Sequence, residues 1–94
     1  MAVLSEEELA KDLERLSGWR AEGDAIVRQF EFQGGFMGSV NFVNRLAEAA
    51  EAANHHPDLA ISWNKVTVTL STHSEGGVTE KDVALAAAAD RLAG

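Results

Sequence analysis

Leu59-Ala60-Ile61-Ser62-Trp63-Asn64-Lys65-Val66-Thr67-Val68-Thr69-Leu70-Ser71 is the stretch on which the fold turns. Val66, Val68 and Leu70 alternate with Thr67, Thr69 and Ser71. Successive side chains of a strand point to opposite sides, so this run has one apolar face and one hydroxyl face. Leu59, Ile61 and Trp63 alternate in the same way just before it. Asn64-Lys65 supplies a tight turn, because Asn tolerates positive φ, although the usual Gly is missing. Two alternating runs so closely joined predict a β-hairpin, with Leu59, Ile61 and Trp63 facing a core.

Upstream of the hairpin a helical pattern runs from about Phe36 to Ala53. Phe36, Val40, Val43, Ala47 and Ala50 share a face, which Phe42 and Leu46 widen. Asn54 suits a helix C-terminus, and Pro57 forbids continuation. Gly34-Gly35 punctuates before that helix. Ile26, Phe30 and Phe32 share one face opposite Gln29 and Glu31, the mark of another strand, with Arg28 interrupting the alternation. Gly23-Asp24 is a turn signal, and Trp19 to Glu22 reads as a short partner strand. Ser5 with Glu8 forms a capping box for a first helix striped by Leu9, Leu13 and Leu16, and Ser17-Gly18 ends it.

Downstream, Glu75-Gly76-Gly77 is a loop. Thr79 with Asp82 forms a second capping box, opening an Ala-rich helix through Leu92. The order is α-β-β-α-β-β-α. Short links between paired strands favour hairpins, so the expected class is α+β: a four-stranded antiparallel sheet with three helices on one face. Residues 1–94 are expected to form one domain.

Composition narrows the function classes. Of 94 residues, 46% are hydrophobic and one is Pro, which marks a folded chain. A core this small buries a modest share of its surface, so pairing with another copy is expected. Fifteen acidic against eight basic residues give a formal charge of −7, which argues against nucleic acid and anionic membranes as partners. Met1-Ala2-Val3-Leu4 runs straight into Ser5-Glu6-Glu7-Glu8 with no basic segment or long apolar run, so a cytoplasmic location is expected. Cysteine is absent, which removes disulfides and thiolate metal sites.

All three histidines sit at element ends, where rigid supports hold functional side chains. His55 and His56 follow the long helix, and His73 ends the best strand. Imidazole is the side chain suited to proton transfer near neutral pH. Glu51 precedes His55 by four residues and shares its face if the helix persists. Structural readings compete at each position: a polar strand end for His73, a helix C-terminal cation for His55-His56, and simple capping for Asp82. Adjacent imidazoles diverge and do not make the i, i+4 chelating pair, so no metal site is expected. No Cys or Gly-x-Ser-x-Gly elbow supports nucleophilic catalysis, and the Gly pairs are too short for a phosphate loop.

Taken together these residues resemble a family. Glu51-Ala52-Ala53-Asn54-His55-His56-Pro57-Asp58 is similar to the Glu-x-x-x-His-His-Pro signature of pterin-4a-carbinolamine dehydratases. The likeness continues through Trp63-Asn64-Lys65-Val66, Leu70-Ser71-Thr72-His73 and Gly76-Gly77-Val78-Thr79-Glu80-Lys81-Asp82, with Gly18-Trp19 and Phe30-Glu31-Phe32 fitting upstream. Leu59-Ala60 and Trp63 depart from the aromatic residues and Tyr common in the family, which bears on pocket shape and on the pterin side chain accepted.

The resemblance implies a dehydratase that converts 4a-hydroxytetrahydrobiopterin, left when an aromatic amino acid hydroxylase uses its pterin cofactor, to quinonoid dihydropterin. It implies His55, His56 and His73 as catalytic residues and Glu51, Pro57, Thr72 and Asp82 as substrate-binding ones, with no metal or other cofactor. His56 and His73 would trade acid and base roles while His55 orients the substrate. Glu51 would favour a protonated imidazole, and Asp82, ionised at a helix N-terminus, would accept hydrogen bonds from the pterin. Family members form dimers or pairs of dimers, partly by extending the sheet between subunits. Two other roles stay open: a non-catalytic coactivator or assembly protein of the same fold, and a pterin-binding role linked to molybdopterin.

Overall fold

The computed structural model describes residues 2–94 and carries the expected order of elements. Helix α1 spans Glu6–Arg15, α2 Gly35–Ala53 and α3 Glu80–Ala93; the strands are β1 Arg20–Glu22, β2 Ala25–Glu31, β3 Asp58–Ser62 and β4 Lys65–Leu70. Both capping boxes form. The Ser5 amide donates to Glu8 Oε1 at 2.8 Å and the Glu8 amide to Ser5 Oγ at 3.1 Å. Thr79 and Asp82 do the same work for α3, satisfying amides that the first helical turn leaves without partners.

The sheet is antiparallel throughout, in the order β1-β2-β4-β3. Pairing of Ile26 with Leu70 and Phe30 with Val66 lines apolar side chains along one face. That face meets Phe42, Leu46 and Ala50 of α2 and Leu85, Ala86 and Ala89 of α3, all buried. Burial of each large side chain stabilises the fold by about 1.5–3 kcal/mol. The two helices lie close together, α2 against α3. Among the described residues no helix is long and apolar enough to cross a membrane.

Arg28, which interrupts the expected alternation, belongs to the inner face after all. Its Nη1 reaches Asp90 Oδ1 at 2.8 Å, and the guanidinium covers the Phe30 ring at 4.3 Å from the centroid. Trp19 Nε1 donates to the same Asp90 oxygen at 2.9 Å. Gly18 makes this possible, since a Cβ there would lie 2.4 Å from Arg28 Nε.

Two expectations for the hairpin need correction. Leu59, Ile61 and Trp63 are not core: they are 36%, 42% and 68% exposed. The physical reason is that β3 is an edge strand, so its apolar side chains lie at the margin of the face that the helices cover. The turn is also one residue earlier than Asn64-Lys65. Ser62 pairs with Lys65, so Trp63 and Asn64 make the loop, and Trp63 itself takes φ 50°. A bulky residue in this region is held there at a cost of about 1–3 kcal/mol. Ser39 Oγ donates to the Trp63 carbonyl at 2.8 Å, and the Phe32 amide to the Asn64 carbonyl at 2.8 Å, which pins the loop.

Candidate active site

Asn54 decides where the paired histidines go. It ends α2 in the left-handed conformation, φ 51° and ψ 43°, and the His55 amide donates back to the Ala50 carbonyl at 3.0 Å. This αL termination satisfies helix carbonyls and reverses the chain. Helical periodicity therefore stops before His55. Glu51 consequently meets His56, with its Oε2 against His56 Nε2, rather than His55 as a spacing of four suggests.

The strand register brings the second segment alongside. Asp58 pairs with Thr69, and each step back along β3 is one step forward along β4. His55 lies three residues before β3 begins, and Thr72 two residues after β4 ends. Thr72 then bridges to Gly77, its amide donating to the Gly77 carbonyl at 2.9 Å, and residues 73–76 form the intervening loop. His73 is exposed in this loop, one residue from Thr72.

Asp82, at the third position of α3, is the hub. It is fully buried. Its Oδ1 lies 2.5 Å from His55 Nε2, and its Oδ2 accepts from the Thr72 hydroxyl at 2.8 Å and the Thr79 amide at 2.9 Å. Its two oxygens thus meet three groups drawn from three separate segments of the chain. The His55 side chain is 10% exposed, so the imidazole reaches the surface while its carboxylate partner does not. The His56–Glu51 pair is different, with both side chains more than half exposed. Solvent screens such a pair strongly.

Of the residues singled out from sequence, His55, Thr72 and Asp82 share one hydrogen-bond network, and His56 and Glu51 form a second. Pro57 is half-buried and leads from His56 into β3. Thr79 joins the first network through its hydroxyl, 2.8 Å from Thr72 Oγ1. Its sequence signal as a helix cap concealed that second role. Among the described residues no group of three or more His, Asp or Glu side chains is placed to hold a metal ion. An open groove of about 610 Å³ between α1 and the start of α3 lies apart from the histidines, lined by Leu4, Glu8, Lys11, Asp12, Glu14, Arg15 and Glu80. What the arrangement offers chemically is a buried carboxylate–imidazole pair at His55 and an exposed one at His56, while His73 makes no side-chain hydrogen bond to either.

Known proteins share this arrangement of chain. The family model described as pterin 4 alpha carbinolamine dehydratase matches residues 2–92. A protein of Thermosynechococcus vestitus, provisionally named pterin-4-alpha-carbinolamine dehydratase, is 50% identical over 96% of this chain and 94% of its own. A similarly named protein of Mycobacteroides abscessus is 46% identical over 100% of this chain and 99% of its own. Among solved structures, a transcriptional coactivator/pterin dehydratase from Brucella melitensis superposes with a TM-score of 0.94 at 39% identity, covering 98% of this chain and 99% of that one. A pterin dehydratase-like protein identified as a RuBisCO assembly factor in the alpha-carboxysome gives 0.67 at 26% identity, covering 81% and 87%.

Proposed function

The chain belongs to the pterin 4 alpha carbinolamine dehydratase family, and from that premise we propose that it dehydrates a 4a-hydroxytetrahydropterin, such as 4a-hydroxytetrahydrobiopterin, by histidine acid–base catalysis. One proton goes to the 4a-hydroxyl. The carbon–oxygen bond breaks, its electron pair leaving with water. The adjacent ring nitrogen gives up its proton and closes a carbon–nitrogen double bond, yielding quinonoid dihydropterin. One proton is supplied and one recovered, so imidazoles suffice for every transfer.

The observation that carries this reading is buried Asp82 bonded to His55. A carboxylate behind an imidazole fixes its tautomer and stabilises the imidazolium that forms as it takes a proton. That supports His55 as the base, a larger share than substrate orientation alone. His56 and His73 are the candidates for the acid. His56, paired with Glu51 at the accessible surface, is open to exchange a proton with the substrate. Asp82 and Thr72 are buried and bonded within the chain, so they serve by positioning His55. Glu51 and Pro57, at the accessible rim, are left to meet the pterin.

The proposal extends to assembly. β3 is an edge strand with unpaired backbone groups, and Leu59, Ile61 and Trp63 lie exposed along it, as do Phe36 and Met37 at the start of α2. Such an edge is a template for a strand of another chain. A homodimer across it would bury that surface. The cell compartment and the supply reaction we propose are the cytoplasm and an aromatic amino acid hydroxylase.

Stopped-flow measurement on freshly generated 4a-hydroxytetrahydropterin tests the catalytic reading. Wild type accelerates loss of the carbinolamine, and His55→Ala or His73→Ala slows it by about 10²–10⁴-fold. Wild type no faster than buffer would end the proposal.

A further inference from the structure

Beneath His55 the hydrogen bonds run in one direction only. Thr72 Oγ1 lies 2.8 Å from Asp82 Oδ2 and 2.8 Å from Thr79 Oγ1. The Thr79 amide donates to the same Oδ2 at 2.9 Å, and the Lys81 amide to Thr79 Oγ1 at 3.3 Å. Thr79 and Asp82 are fully buried and Thr72 nearly so, and no buried side-chain nitrogen or oxygen among the described residues lacks a partner.

Counting protons settles the direction. A backbone amide only donates, and a hydroxyl carries a single proton. If Thr72 gave its proton to Thr79, the buried Thr79 hydroxyl would have no acceptor for its own proton, since its other partner is the donating Lys81 amide. The Thr72 proton therefore goes to Asp82. The contact between the two threonines must then use the Thr79 proton. Thr79 Oγ1 in turn accepts the Lys81 amide, as a helix cap does. Three donors thus lead, one behind another, toward the Asp82 carboxylate, and a fourth, the Thr79 amide, meets it directly.

With Oδ2 so occupied and the helix N-terminus favouring negative charge, the proton shared with His55 rests on the imidazole. It sits on Nε2, the nitrogen against Asp82. A neutral ring protonated there has its lone pair on Nδ1. We infer that Thr79 is a positioning residue of the dehydration site: its hydroxyl, acting through Thr72 and Asp82, holds His55 as the Nε2–H tautomer, with Nδ1 the atom that takes the substrate's proton. The catalytic consequence rests on the dehydratase reading. The tautomer does not.

Long-range ¹H–¹⁵N spectra of the imidazoles, recorded with dehydration kinetics, test this. Neutral His55 shows protonated Nε2 and unprotonated Nδ1 in wild type. Thr79→Val mixes the tautomers and lowers kcat roughly 10–100-fold with a smaller change in KM, as loss of a group that orients a reacting residue does. Thr79→Ser, which keeps both cap and hydroxyl, restores the wild-type spectrum and rate. Should Thr79→Val fail to fold through loss of its cap, Thr72→Val interrupts the same series and leaves the cap in place, with the same expected mixing. A His55 protonated on Nδ1 in wild type overturns the inference, as do folded valine variants with unchanged spectra and kcat. An inactive wild type with the Nε2–H spectrum would remove the dehydratase reading while supporting the tautomer assignment.

Discussion

Two aspartates stand eight residues apart on α3, about two turns, and each gathers donors from distant parts of the chain. Asp90, near the end of the helix, takes Trp19 Nε1 and Arg28 Nη1 on one oxygen. Asp82, near its start, takes His55, Thr72 and the Thr79 amide. The donors make the difference. A guanidinium keeps its proton at any working pH and an indole only donates, so Asp90 is confined to fastening β2 and the segment just before β1 onto α3. An imidazole exchanges its proton near neutrality, so Asp82 acts on a group that can do chemistry. The same side chain on the same helix is a fastener at one end and a director of proton transfer at the other.

Exchanging each carboxylate for its amide puts that comparison at greatest risk. Asp82→Asn presents His55 with an amide that no longer specifies the tautomer, and kcat for dehydration is expected to fall about 10²–10⁴-fold. Asp90→Asn leaves kcat per folded molecule at the wild-type value. Equal losses in the two variants, measured by stopped-flow on protein checked for fold by circular dichroism, would erase the distinction.

Stability should show the reverse emphasis at the Asp90 end. Asp90→Ala leaves the buried Trp19 indole and the Arg28 guanidinium without an acceptor and is expected to cost about 1–3 kcal/mol. In a domain of this size that lowers Tm by roughly 4–8 °C per kcal/mol. Gly18→Ala sharpens the point, because its Cβ displaces the Arg28 guanidinium from Asp90. Its cost, about 1 kcal/mol or more, should largely vanish in an Arg28→Ala background, a coupling that a double-mutant cycle measures by urea unfolding. Additive losses would mean that Gly18 acts elsewhere.

The smallest effect concerns the other capping box. Ser5/Glu8 and Thr79/Asp82 share one motif, yet the first is exposed and serves only its helix. Hydrogen bonds from the Ser5 amide and then the Ser5 hydroxyl hold the Glu8 carboxyl below its usual titration range. A group with a lowered folded value stabilises above its unfolded value, and that contribution is lost as pH falls through the folded one. Amide exchange in α1, normalised for intrinsic rate, should therefore rise modestly on acidification below the usual carboxylate range. Glu8→Gln should flatten that rise, and dehydration rates at neutral pH should not change.

Much of this was legible in the residues alone. Val66 to Ser71 announced its strand because period-two alternation matches only a pleated sheet with one face covered. Both capping boxes were readable because their partners lie three residues apart, within reach of local geometry. Exposure of Leu59, Ile61 and Trp63 was not, since alternation reports which side chains share a face and says nothing of whether a helix covers it. Arg28 looked like an exception for the same reason: its partner Asp90 is 62 residues away.

The sequence by itself determined the order of elements, the antiparallel pairing and the residue types able to move protons, all consequences of periodicity and short-range steric preference. Which histidine meets which carboxylate was decided only by tertiary structure. Asn54 in its left-handed turn sends His56 to Glu51 and His55 to Asp82, and Thr72, bridged to Gly77 just beyond β4, reaches that same carboxylate. Contacts across such separations depend on how helices and strands stack once solvent leaves the space between them, and no spacing along the chain encodes that.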